Sequence, residues 1–113
     1  MTMEAGDKKY YKIREVAEMT GLPLSTLRFW EQKFTIIKPR RNERGTRFYT
    51  ASDIEKIKMV YYLVKDKGLK LDAAQEQLKH NHDGVSRHAA AVDRLKAIRS
   101  ELVAMLDALN RIR

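Results

Sequence analysis

The sequence contains no cysteine in its 113 residues. Disulfide bonds, thiolate metal sites and cysteine redox sensing are therefore excluded. The N-terminus, MTMEAGDKKYYK, lacks the apolar h-region of a secretory signal. No apolar run approaches the roughly 18 residues that a membrane span needs. We therefore expect a cytoplasmic protein without a membrane partner, and a disordered leader over residues 1–9.

The charge balance is strongly positive. Lys and Arg number 23, Asp and Glu number 15, and the formal net charge is +8. Such an excess favours a polyanionic partner, such as nucleic acid or an anionic membrane surface. A basic surface that only maintains solubility is the alternative.

Two short amphipathic segments predict a helix-turn-helix. The segment 12–21, KIREVAEMTG, has apolar residues at helical spacing and ends at a glycine. A second helical pattern, LPLSTLRFWEQKF, begins directly after it. A short helix, a tight turn and a second helix form the sequence signature of this motif.

The second helix separates its aromatic residues between two faces. At ~100° per residue, Leu27, Trp30 and Phe34 share a face that we expect in the core. Arg28 and Phe29 fall on the opposite side. Phe29 either packs under a neighbouring hairpin or lies on a face that contacts nucleic acid, with Arg28 on a phosphate or a base edge.

The next segment, IIKPRRNERGTRFYT (36–50), breaks the helical period. We predict a β-hairpin with strands at Ile36–Ile37 and Arg47–Tyr49 and a polar tip between them. Residues 36–49 include five basic residues and one acid, a net +4. Cations so close together repel one another unless a polyanion neutralises them, although a solvated basic loop is the alternative.

The remainder is predicted to be helical. Thr50 and Asp53 have the spacing of a capping box at the start of a helix over 50–68, and a short helix follows over 71–81. Residues 85–113 repeat apolar side chains at alternating steps of four and three, which is a coiled-coil heptad: Ala91, Leu95, Ile98, Leu102, Met105, Leu109 and Ile112. A second copy of the helix is the favoured partner, and folding back onto the preceding helices is the alternative.

These residues resemble the DNA-binding domain of the MerR family of bacterial transcription regulators. The match runs from Tyr11 to about Leu78, and its specific parts are EVAEMTG, STLRFWE, KPRRNERGTRFYT and DIEKI, in order and correctly spaced. RFWEQKF is similar to the branch with a Trp-Glu pair and a Phe. The resemblance implies a mainly α fold, with a winged helix-turn-helix domain over residues 10–81 and a coiled-coil dimerisation helix over 85–113.

The resemblance also implies roles for individual elements. Residues 24–33 would be a recognition helix in the major groove, the hairpin would be the wing, and helices over 53–66 and 72–80 would approach the DNA backbone. The implied DNA contacts, together with the other cations of the wing, are Ser25, Thr26, Arg28, Phe29, Lys38, Arg40, Arg41, Arg44, Arg47 and Tyr49. Tyr11 and Arg14, near the first helix, are weaker candidates.

The resemblance further implies an antiparallel homodimer on a near-palindromic promoter site. Distortion of that site would let RNA polymerase use both promoter elements. Pro23 and Lys70 stand where the family often has a helix cap. We expect no ligand-binding domain after the dimer helix, which leaves effector sensing open.

Other chemistries have little support. We interpret the histidine-containing segment KHNHDG as a polar linker and not as a metal site. The residues considered are His80, His82 and Asp83, together with His88 nearby. We find no nucleophile–base arrangement or phosphate loop, so we predict neither an enzyme nor a cofactor. Two further functions remain open, an excisionase-like or architectural accessory DNA-binding protein and a coiled-coil protein-interaction module.

Overall fold

The computed structural model describes residues 9–112, so residues 1–8 of the predicted leader lie outside the described range. Within this range there are three short strands and five α-helices, together with one π-helical turn. In chain order they are β1 (Tyr11–Lys12), α1 (Ile13–Thr20), α2 (Leu24–Lys33), β2 (Arg40–Arg41), β3 (Arg47–Tyr49), α3 (Ala51–Tyr61), the π-helical turn (Tyr62–Asp66), α4 (Leu71–His80) and α5 (His82–Ile112).

Helices α1 and α2 form the predicted helix-turn-helix. Gly21 has a φ of +73° and its N–H donates to the carbonyl of Ala17, which ends α1 in a left-handed turn. Pro23 is extended and α2 begins at the next residue, so the missing cap residue does not shift the start of this helix. Val16 and Leu27 are buried and join the two helices to the core.

The strands form one antiparallel sheet in the order β1-β3-β2. The predicted strand at Ile36–Ile37 is wrong, because Ile37 is buried in the core and the strand lies at Arg40–Arg41 instead. β1 was not predicted from the sequence, and it pairs Tyr11 with Tyr49. Ile36 and Ile37 therefore pack in the core or against it. The strand that pairs with β3 is formed by the basic residues that follow them, Arg40 and Arg41.

Helix α3 begins at the predicted capping box. The Thr50 hydroxyl accepts from the Asp53 N–H at 3.2 Å, and the Asp53 carboxylate accepts from the Thr50 N–H at 2.9 Å. This satisfies donors that the first turn would otherwise leave unpaired. α3 buries Ile54, Ile57 and Val60 against the core, and the π-helical turn continues it towards α4.

Helix α5 begins at His82, three residues before the predicted position. Its buried residues are Gly84, Val85 and Ala89, all in the first turns. The large apolar residues from Leu95 to Ile112 are 41–79% exposed. The first turns of α5 pack on α3, α4 and the π-helical turn, but the heptad residues from Leu95 onward do not. The alternative in which the heptad stripe folds back onto the preceding helices is therefore wrong. No helix within residues 9–112 is long and apolar enough to cross a membrane.

Candidate nucleic-acid interface

The outer face of α2 has the composition expected of a recognition surface. Ser25 and Arg28 are exposed, Thr26 is half-buried, and the Phe29 ring is 50% exposed. Trp30, on the opposite face, is only 3% exposed and packs edge-on to Phe34. The helical spacing of ~100° per residue therefore predicted both faces of α2 correctly. Phe29 does not pack under the hairpin.

The wing presents exposed cations beside this face. Its tip is held by Asn42, whose side-chain oxygen accepts from the backbone N–H groups of Arg44 and Thr46 at 2.9 and 3.0 Å. Gly45 takes a φ of +81°, which favours glycine at this point of the turn. The exposed cations of the wing and its approach are Lys38, Arg40, Arg41 and Arg44. A local turn thus holds a dense positive charge at the surface.

Glu31 connects α2 to the wing. Its carboxylate accepts from the Arg47 Nε and, at 2.9 Å, from the Arg41 Nη2. The side chains of Glu31 and Arg47 are only 12% and 20% exposed. An ion pair shielded from water in this way is coupled more strongly than a surface pair. Arg47 was predicted from the resemblance to hold phosphate. Its Nε is engaged by Glu31, and a phosphate contact by the rest of its guanidinium stays a prediction.

Tyr49 does not belong to the exposed surface. Its side chain is fully buried, and its hydroxyl meets no hydrogen-bond partner within residues 9–112. Burial, with a further contribution from the negative charge of Glu31, raises its pKa to about 12. The predicted phosphate contact at Tyr49 is therefore wrong in this conformation, since DNA cannot reach the hydroxyl. Tyr11 is also buried, whereas Arg14 is exposed on α1.

A second basic segment was missed by the sequence reasoning. Lys65 in the π-helical turn, and Lys67 and Lys70 in the stretch that joins this turn to α4, are exposed. The signal was present in the sequence, since residues 65–70 read KDKGLK, with a single acid. That acid, Asp66, pairs with Lys96 at 2.8 Å. The segment therefore adds positive charge outside the wing.

Two contacts join α4, the helix that follows this segment, to α2. The Lys33 Nζ at the end of α2 lies 2.7 Å from the Asp72 Oδ1 in the first turn of α4, and the Gln75 amide donates to the Lys33 carbonyl at 3.4 Å. The hydrogen bond and the charge of Lys33 lower the pKa of Asp72. The start of α4 therefore lies against the end of α2.

Residues 11–81 match the model of the MerR helix-turn-helix regulatory protein family. The chain belongs to the MerR family. Among MerR relatives, the transcriptional regulator CueR of Yersinia pestis is 32% identical over 102 residues, covering 89% of this chain and 72% of that protein. The repressor CarA of Myxococcus xanthus is 35% identical over 69 residues, which are 60% of this chain but only 24% of CarA.

Solved MerR structures share the fold. A MerR-family regulator from Bacillus cereus superposes with a TM-score of 0.56 at 20% identity, covering 86% of this chain and 74% of that chain. HiNmlR, a MerR family regulator lacking the sensor domain and bound to promoter DNA, gives a TM-score of 0.55 at 22% identity, covering 89% and 85%. The winged helix-turn-helix architecture expected from the sequence is thereby confirmed.

Proposed function

We propose that this MerR-family chain is a sequence-specific transcription regulator that binds a pseudo-palindromic promoter site as a homodimer. The observation that carries the proposal is the surface shared by α2 and the wing. The exposed face of α2 lies beside a cationic wing, and Glu31 fixes the two elements to each other. HiNmlR, which has this fold, is bound to promoter DNA in its structure.

The residues of this surface divide by chemistry. Arg28 can donate to phosphate or to the acceptors of a guanine edge, and Phe29 can meet an apolar base edge such as a thymine methyl. The wing cations, with Arg44 at the tip, suit phosphate oxygens, which fix register without reading sequence. Lys65, Lys67 and Lys70 are suited to further backbone contacts on the same grounds.

Helix α5 supports the dimer because it has two distinct faces. One face is tied to its own domain, through Asp93 with Lys58 at 3.5 Å and Lys96 with Asp66 at 2.8 Å. The heptad residues lie on another face and are exposed, with Leu102 60% accessible. A matching α5 from a second copy would cover this apolar seam. Two recognition helices related by a two-fold axis require an inverted-repeat site.

In this proposal the dimer distorts a promoter spacer so that RNA polymerase can use both promoter elements, and part of its specificity comes from the cost of that deformation. The chain acts in the bacterial cytoplasm on nucleoid DNA, without catalysis. Residues 10–81 supply the DNA-binding domain and α5 supplies the dimer contact.

Selection of bound fragments from a random DNA library at near-physiological salt tests the proposal. Enrichment of an inverted repeat is expected. A single half-site or a tandem repeat would contradict the dimeric regulator and favour an accessory DNA-binding role. An absence of enrichment would favour a coiled-coil interaction module.

A further inference from the structure

A cleft of about 180 Å³ lies where the helix-turn-helix, the π-helical turn and α5 meet. Its walls include Met19 at the end of α1, Tyr61 and Tyr62, the carboxylate of Asp66, and Lys96 of α5. The cleft therefore touches both the DNA-reading motif and the helix proposed to form the dimer. Its aromatic and apolar walls with a carboxylate at the edge are suited to an organic cation.

An ammonium group already occupies this edge. The Lys96 Nζ lies 2.8 Å from the Asp66 Oδ2 and 4.7 Å from the centre of the Tyr61 ring. A cation over a tyrosine face next to a carboxylate is the arrangement by which proteins recognise ammonium ligands. The Lys96 side chain is 47% exposed, so it can leave the cleft and extend into solvent. The chain thus holds its own side chain where a free cation would bind.

The cleft would stay accessible in the proposed dimer. On a helix, Lys96 is ~100° from the heptad residue Leu95, and Asp93 is ~160° from it. A partner helix on the Leu95 side therefore leaves the Lys96 side uncovered. The second carboxylate of the cleft, Asp93, is paired with Lys58 at 3.5 Å, which leaves Asp66 as the anion that a ligand can share.

We propose that this cleft binds a small organic cation of the ammonium class, which replaces the Lys96 ammonium on Tyr61 and Asp66. The apolar part of the ligand packs on Met19 and Tyr62. Displacement of Lys96 removes one of the two ion pairs that, among residues 9–112, tie α5 to its domain. Binding itself needs no DNA, and only its consequence for promoter binding rests on the proposed function.

Choline and its neutral isostere 3,3-dimethylbutan-1-ol form a matched pair of probes. We expect choline, titrated into the full chain without DNA, to give saturable NMR shifts at the amides of Met19, Tyr61, Asp66 and Lys96. The isostere should give none, because it has the same shape and no charge. Lys96→Met removes the tethered competitor and should tighten choline binding about tenfold.

Variants in the Lys96→Met background locate the site. Tyr61→Phe keeps the aromatic face and should retain choline affinity, whereas Tyr61→Leu and Asp66→Asn should each weaken it about tenfold. The same spectra show whether each variant is folded. Asp66→Asn keeps the shape of the side chain and removes its charge, so a loss of affinity in this variant reports on the charge. The proposal is overturned if the wild-type chain shows no saturable shifts, if the isostere binds equally well, or if Lys96→Met weakens binding. Because no DNA is present, these outcomes leave the proposed regulator function untouched.

Discussion

The carboxylate of Glu31 on α2 accepts a hydrogen bond from the Nε of Arg47 on the last wing strand. The same carboxylate reaches Arg41 on the neighbouring strand at 2.9 Å. These contacts fix the angle between the element that would read bases and the element that would hold phosphates. Sequence specificity in this account therefore depends on a residue that need not touch DNA.

Replacing Glu31 with Gln should lower the free energy of unfolding by about 2 kcal/mol, because two arginines lose the anion that pairs with them in a mostly buried site. Urea unfolding measures this change. Glu43→Gln is the matched control, since Glu43 is an exposed acid of the same wing, and it should change stability by no more than about 0.5 kcal/mol. Equal effects of the two variants would show that Glu31 does not hold the wing.

A double-mutant cycle separates the positioning role of Arg47 from a phosphate contact. Arg47→Ala should cost much less stability in the Glu31→Gln background than in the wild-type chain, because residues in direct contact are not additive. Urea unfolding of all four proteins gives the coupling energy. Simple additivity would mean that the pair contributes nothing to the folded state.

Arg44→Ala should weaken binding to all DNA sequences by a similar factor. Arg44 lies at the exposed wing tip, and the loss of one phosphate contact should reduce the slope of log affinity against log salt by about one unit. Titrations of labelled duplexes at several salt concentrations measure the slope. A changed base preference with an unchanged slope would instead assign Arg44 to a base.

Leu102→Asp should convert the protein to monomers without unfolding the domain, since Leu102 is 60% exposed in the single chain. A charge on the apolar seam opposes association of two such helices. Ser100→Asp is the control, because Ser100 is ~160° around the helix from Leu102, and it should remain dimeric. Sedimentation analysis distinguishes them, and a dimeric Leu102→Asp would place the interface elsewhere.

Ionisation of Tyr49 should lower the stability of the fold at alkaline pH. Its folded-state pKa is raised to about 12 from an ordinary 10.0, so the neutral form is favoured by folding. Its contribution is complete below the unfolded pKa and is lost as the pH rises through the folded value. Tyr49→Phe should therefore show a smaller stability loss between the two values. At neutral pH it should be up to about 1 kcal/mol more stable, because it removes a buried hydroxyl that has no hydrogen-bond partner in the described part of the chain. An identical alkaline profile, measured by urea unfolding, would contradict this.

The parts of the fold that could be predicted from the sequence are those set by local interactions. The bounds of α2 and the Thr50–Asp53 cap depend on residues a few positions apart. The strand at Ile36–Ile37 was wrong because two β-branched residues suit a ladder and a core equally well, and only packing decides between them. The pairing of Glu31 with Arg47 joins residues sixteen positions apart, and no periodicity in the sequence encodes it.

In the candidate site, too, the features set by local geometry could be predicted and those set by long-range packing could not. Exposure of Arg28 and Phe29 follows from helical geometry, which the sequence specifies. The burial of Tyr49 depends on the strand pairing with Tyr11, a strand that has only two residues and no recognisable signal. Packing between residues far apart in the sequence therefore determines which of the predicted DNA contacts lie at the surface.

The central claim is that the exposed face of α2 reads DNA sequence. The most direct measurement is to repeat the random-library selection with an Arg28→Ala/Phe29→Ala variant beside the wild-type chain. We expect the wild type to enrich an inverted repeat, whereas the variant should still bind DNA through its wing but enrich no sequence. Enrichment of the same inverted repeat by the variant would contradict sequence reading by this face of α2.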